Sequence, residues 1–142
     1  MLLADFLEFD ELPPPEIIWF ERLWLSTLVL SVIITIMMFD WSMSRVGPWG
    51  AAFLTAARFG GSFLIMFLCT RRRSNLVRWM IAIPFNITIL AYDLVRLPQM
   101  LERSPVLWFV VLRLVLTFAA TYLLFAPRSR VWFGTGLQLE EQ

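Results

Sequence analysis

The sequence predicts an all-α membrane protein, with four transmembrane helices in an up-down antiparallel bundle. Four apolar runs, at residues 17–38, 50–70, 76–94 and 105–125, carry the prediction. Each is about 20 residues, the length an α-helix needs to cross ~30 Å of hydrocarbon. The chain as a whole is 59% hydrophobic with mean hydropathy +0.72, whereas a soluble domain is nearer ~50% apolar. Finally, the polar connections are short, so neighbouring helices should run antiparallel. Four spans leave no room for a second domain.

The first sixteen residues form an acidic arm with Asp5, Glu8, Asp10, Glu11 and Glu16 and no basic residue. A secretory signal needs a positive start followed by an apolar core, and this arm has neither. Residues 1–7 suit a short surface helix, stopped by the stiff Pro13-Pro14-Pro15 segment. The transmembrane domain then occupies residues 17–133, and residues 134–142 form a short solvated tail.

Run one opens with Trp19, Phe20 and Trp24, rings that prefer the headgroup level. Glu21 and Arg22 lie one turn in, where Glu21 is placed to meet the basic connection after run two. Run two carries Ala51, Ala52, Ala56, Ala57, Gly60, Gly61 and Ser62. Its Ala56/Gly60 and Ala57/Gly61 steps have the spacing that lets helix backbones approach closely. With Ala119, Ala120 and Thr121 of run four, they lead us to expect that runs two and four supply much of the tight helix contact. Run three holds Pro84 and Asn86 near its middle; the proline should kink the helix, with Asn86 and Thr88 available for the freed carbonyl or a neighbouring helix. Trp132 and Phe133 follow run four and should fold back to the membrane, pinning the end of the chain.

Orientation follows from arginine. Arg71, Arg72, Arg73 and Arg78 cluster between runs two and three, and Arg128 and Arg130 follow run four. The opposite connections hold Arg45, Arg96 and Arg103. Short arginine-rich loops stay cytoplasmic, so both termini are expected in the cytoplasm of a bacterium, the protein being multi-pass in its inner membrane. The Arg71–Arg78 cluster should set topology and touch anionic lipid, at about 1 kcal/mol per charge.

Two arginines lie inside the spans: Arg58 and Arg113, each ~12 Å from the outer end of its run. A charge at this depth must snorkel or be paired. Asp40 and Asp93 end runs one and three near the same face, so Asp40–Arg58 and Asp93–Arg113 pairs are expected. With Asn86 they form a candidate intramembrane polar cluster. The order aromatic-Asp, Arg, Pro, internal Arg recurs in both halves, which suggests two repeated hairpins about a two-fold axis along the membrane normal.

Other chemistry is largely excluded. The net charge of +1 argues against nucleic acid. There is no histidine, the usual ligand and proton carrier, and the lone Cys69 reads as a small packing residue. No catalytic, metal-binding or cofactor-binding residues are expected, and no cofactor.

Several segments together resemble a group of small, uncharacterised four-helix bacterial inner-membrane proteins. These are Trp19-Phe20-Glu21-Arg22-Leu23, Arg71-Arg72-Arg73-Ser74-Asn75, and the stretch from Leu123-Leu124-Phe125 through Pro127, Ser129 and Arg130 to Trp132-Phe133. The resemblance implies the topology and transfers no functional residue. The functional expectation is a non-catalytic accessory or scaffold subunit of a larger membrane assembly, in contact with lipids and with other subunits or itself. The alternative is a small oligomeric transporter or channel for an anionic or amphipathic solute. An enzyme is not expected.

Replacing Arg71, Arg72 and Arg73 together with Asn should scramble the orientation, read by reporter fusions at both termini. An unchanged fusion pattern would remove these residues from the topology argument.

Overall fold

The computed structural model describes residues 13–134. The expected surface helix at residues 1–7 and the tail beyond residue 134 lie outside the described residues. Helix α1 spans Pro15–Met37 and α2 spans Phe39–Arg71. The third span joins α3 (Asn75–Met80), a wide π-helical turn (Ile81–Phe85) and α4 (Asn86–Glu102). Helix α5 is Ser104–Leu124, and the short α6 is Pro127–Trp132. Four helices are long and apolar enough to cross a membrane; the chain is a multi-pass membrane protein.

Local chemistry sets the boundaries. Pro15 starts α1, two residues earlier than expected, because the first helical position has no use for an N–H. Residues 39–49, expected as a connection, are helical except at Gly47 (φ 73°, ψ 171°). Pro48 disfavours the α conformation in the residue before it, and glycine takes the positive φ at no side-chain cost. Ser74 caps α3 by accepting a hydrogen bond from the Val77 N–H at 3.3 Å. The third span runs eight residues beyond Leu94, to Glu102 and through Pro98.

The core is a seam between α1 and α5. Ile17, Phe20, Trp24, Thr27, Ser31 and Ile34 are buried on α1, with Met38 just beyond its end. On α5 the buried set is Val106, Val110, Arg113, Thr117, Ala120 and Leu124. Both alternate steps of three and four residues, the 3.5-residue repeat of knobs-into-holes packing. The start of α1 packs with the end of α5: Ile17, Phe20 and Trp24 cluster with Ala120, Leu124 and Phe133. The other end gathers Ile34, Met38, Met100, Val106 and Val110. The two helices are therefore antiparallel, and they make the most extensive helix contact in the molecule.

This bears out the expectation for run four, whose partner is run one, and corrects it for the small residues of run two. Ala52, Ala56, Ala57 and Gly60 of α2 are exposed. Small residues permit close approach without demanding it, whereas Phe20 and Trp24 need a small partner such as Ala120 to interlock. Helix α2 packs on α1, and α4 on α5. The second and third spans approach closely at the turn that joins them and diverge beyond it. A two-fold relating the hairpins would require that pair to match α1 with α5, so the expected repeat fails in three dimensions.

At the end bearing the described termini, Phe133 folds back onto the bundle itself and not onto the membrane. It is buried beside Ile17 and Phe20. Arg78 is also buried, its guanidinium carbon 4.7 Å from the Phe125 ring centre and 4.9 Å from that of Phe133. Arg78 thus clamps the end of the chain, which corrects its expected role as a lipid contact. Cys69 is fully buried, as expected of a packing residue.

Ala120→Phe should overpack the seam and cost about 1–3 kcal/mol, read as a lower melting temperature in detergent. Ala119→Phe, on the exposed face of the same helix, should leave the melting temperature unchanged.

Candidate functional site

Between the two apolar clusters lies a polar layer. Thr27 and Ser31 of α1, Ser62 of α2 and Thr117 of α5 are buried there. A small void of about 20 Å³ touches all four, together with Arg58 and Arg113. The Trp24 indole N–H crosses to the Ser62 carbonyl at 3.2 Å, tying α1 to α2. Thr117 donates to the Arg113 carbonyl at 2.8 Å, and Thr121 to the Thr117 carbonyl at 2.9 Å.

The wide turn in the third span is built around Pro84. A proline interrupts the i to i−4 ladder, and Asn86 meets the disturbance. Its amide Nδ2 donates to the Ile81 carbonyl at 3.0 Å and the Ala82 carbonyl at 3.2 Å, and lies 3.0 Å from the Thr121 hydroxyl of α5. Thr88 donates to the Pro84 carbonyl at 2.7 Å. The expected kink is a π-helical turn, with Asn86 joining it to α5.

Arg113 is only 1% exposed and forms an ion pair with Asp93 of α4. It does not snorkel: it points into the bundle from a seam position. The second expected pair does not form. Asp40 is exposed at the far end, and Arg58 instead places its guanidinium carbon 5.5 Å from the Tyr92 ring centre.

That contact belongs to a ladder the sequence analysis missed. Arg45 lies 5.6 Å from the Trp41 ring centre, and Arg96 lies 5.2 Å from Trp41 and 4.9 Å from Tyr92. The order Arg45, Trp41, Arg96, Tyr92, Arg58 alternates cations with rings and crosses between α2 and α4 twice. Each stacked pair contributes roughly 0.5–2 kcal/mol according to its desolvation. The available signal was spacing: Trp41/Arg45 and Tyr92/Arg96 share an i, i+4 aromatic–arginine step. Read separately, they look like belt aromatics and loop charges.

Beside the ladder, a groove of about 440 Å³ runs between α2 and α4. Thr35 of α1 forms its floor, Leu54, Phe85 and Ile89 supply apolar wall, and Arg45, Arg58 and Arg96 line it. Arg96 is 1% exposed, and its Nε is buried without a hydrogen bond. Arg45, Arg58, Arg96 and Arg113 stand against Asp40 and Asp93, so this half of the membrane domain carries excess positive charge.

At the opposite end, Glu21 accepts from Thr70 at 2.8 Å and pairs with Arg71 at 3.1 Å, the expected meeting of Glu21 with the basic connection. Arg73 stacks on Trp132 at 3.9 Å. Among the described residues, no group of His, Cys, Asp and Glu has the arrangement to hold a metal ion.

No family model, curated protein or solved structure matches the chain. Its functional argument therefore rests on its own geometry.

Arg113→Leu should leave Asp93 charged and unpaired in the bundle, a loss of about 3–5 kcal/mol. The double variant Arg113→Leu/Asp93→Leu should recover most of it. Thermal melting of the wild type, both single variants and the double gives the coupling directly. Independent, additive losses would mean that the pair does not hold α4 to α5.

Proposed function

We propose that the protein is a non-catalytic accessory or scaffold subunit of a larger assembly in a bacterial inner membrane, with both termini in the cytoplasm. The observation that carries this reading is the uneven packing of the four helices. Helices α1 and α5 complete each other, while α2 turns a face of small residues outward. Glycine in a helix costs about 1 kcal/mol relative to alanine. A Cβ at Gly60 or Gly61 would meet nothing within 4 Å, so no contact within the described chain calls for glycine there. A helix from outside the chain, packing against Ala52, Ala56 and Gly60, would use that face, because association in lipid rests on close van der Waals contact. The orientation is supported by the arginine bias between the two faces.

The groove favours a second reading, a small oligomeric transporter for an anionic or amphipathic solute. Its arginines have the right sign, and a second copy would have to complete a pathway, since the seam of the single chain is filled by side chains.

Affinity purification of the tagged protein from native membranes in mild detergent separates the readings. Co-purification of other membrane subunits in fixed stoichiometry, weakened by Gly60→Leu, is the expected result. A homo-oligomer alone, with solute flux in vesicles, would replace the accessory reading with the transport one.

A further inference from the structure

The groove between α2 and α4 pairs an apolar wall with Arg45, Arg58 and Arg96, and among the described residues none of the three has a carboxylate within ion-pair distance. We propose that it is a binding site for one anionic phospholipid from the leaflet on the far face, opposite the termini. Its phosphate would be held by Arg96 and Arg58, with Arg45 at the mouth and Leu54 as the wall beside it, and an acyl chain would lie along Phe85 and Ile89. The inference rests on the groove's own chemistry and does not depend on the accessory reading.

Three observations converge. The first is shape. The cavity of about 440 Å³ is a slot between two spans, with the floor supplied by Thr35 of α1 and no lining residue from α5. It therefore opens toward lipid, the solvent that surrounds this side of the bundle.

The second is charge. Arg96 is all but fully buried, lines the groove and stacks between Trp41 and Tyr92. Ring faces attract a guanidinium, and the Arg96 Nε has no hydrogen-bond acceptor among the described residues. A buried cation without an anion is costly, and a phosphate oxygen is the acceptor a guanidinium fork fits best. Arg58 occupies the same groove with its own face on Tyr92. The aromatic stacking thus fixes two forks in orientation while leaving their edges for a ligand.

The third is position. The third span starts at Asn75, and Arg96 lies about 30 Å along it. That is one hydrocarbon thickness, the level at which the far leaflet carries its phosphates. Arg58 sits deeper and would draw the headgroup inward. Phe85 and Ile89 lie toward the membrane centre, where an acyl chain belongs, while Leu54 is apolar wall one turn outward of Arg58. Trp41 and Arg45 complete the mouth with an interfacial pairing.

Native mass spectrometry of the full-length protein in mild detergent tests this, with added phosphatidylglycerol compared against phosphatidylcholine of the same chains. The expected result is one phosphatidylglycerol retained under activation that strips phosphatidylcholine. Arg58→Gln/Arg96→Gln should lower that retention about tenfold or more, since each fork supplies a charge-assisted contact. Leu54→Trp fills the groove without removing a charge and keeps the proposal testable if the arginine variant fails to fold; it should lower retention of the same lipid. Equal retention of both lipids would overturn the proposal. So would retention unchanged in Leu54→Trp, which would place the lipid elsewhere, such as on the Arg71–Arg73 patch. A co-purified fatty acid displacing phosphatidylglycerol from the groove would overturn the assignment to a phospholipid.

Discussion

A guanidinium in the middle of a helix seam constrains everything around it. Arg113 occupies a position of the buried α5 stripe that elsewhere takes Val, Thr, Ala or Leu. Hydrocarbon offers it nothing to bond, and removal of a charge from water costs several kcal/mol unless a partner is present. Asp93 is that partner, and the ion pair fixes which face of α4 turns inward. Once α4 is fixed by Asp93, Arg96 and Met100 fall on the same buried face, at steps of three and four residues. Asn86, two turns further toward the termini, reaches Thr121 of α5. The third span is thus attached to α5 by polar contacts at two heights, with apolar packing above and below.

The second span is held differently. It has a hydrogen bond from Trp24 to its backbone, the contacts of Thr70 and Arg71 with Glu21, a buried set near its termini-facing end, and the arginine–aromatic ladder at the far end. The ladder joins α2 to α4 without closing the space between them, because rings and guanidinium planes act as spacers several ångströms thick. The groove is a consequence of that choice of contact.

Much of the architecture was legible in the sequence because it depends on local quantities. Run length fixed the number of spans, and Pro84 with Asn86 marked the disturbance in the third, since a missing N–H acts on its own helix. The Asp93–Arg113 pair was legible because two charges at similar depth have few alternatives in lipid. Helix pairing was not legible. Away from Glu16, Glu21, Arg22 and Arg113, α1 and α5 are apolar or weakly polar on every face, so the 3.5-residue seam is invisible until burial is known. The small residues of α2 did not mark a tight contact within the described chain, because they record where a backbone could be approached, not where this chain approaches it.

The sequence by itself determined four apolar helices, their antiparallel succession and the presence of charge at membrane depth. Each follows from residue type, spacing and the low polarity of the bilayer. Only the tertiary structure decided that Arg113 is paired while Arg58 and Arg96 lie on rings, that Arg78 is a buried clamp, and that a groove separates α2 from α4. Those outcomes turn on the relative rotation of helices. In a bilayer, where all faces are similarly apolar, rotation is set by a few long-range polar contacts and by the interlocking of side-chain volumes, and neither is carried by any one segment of the chain.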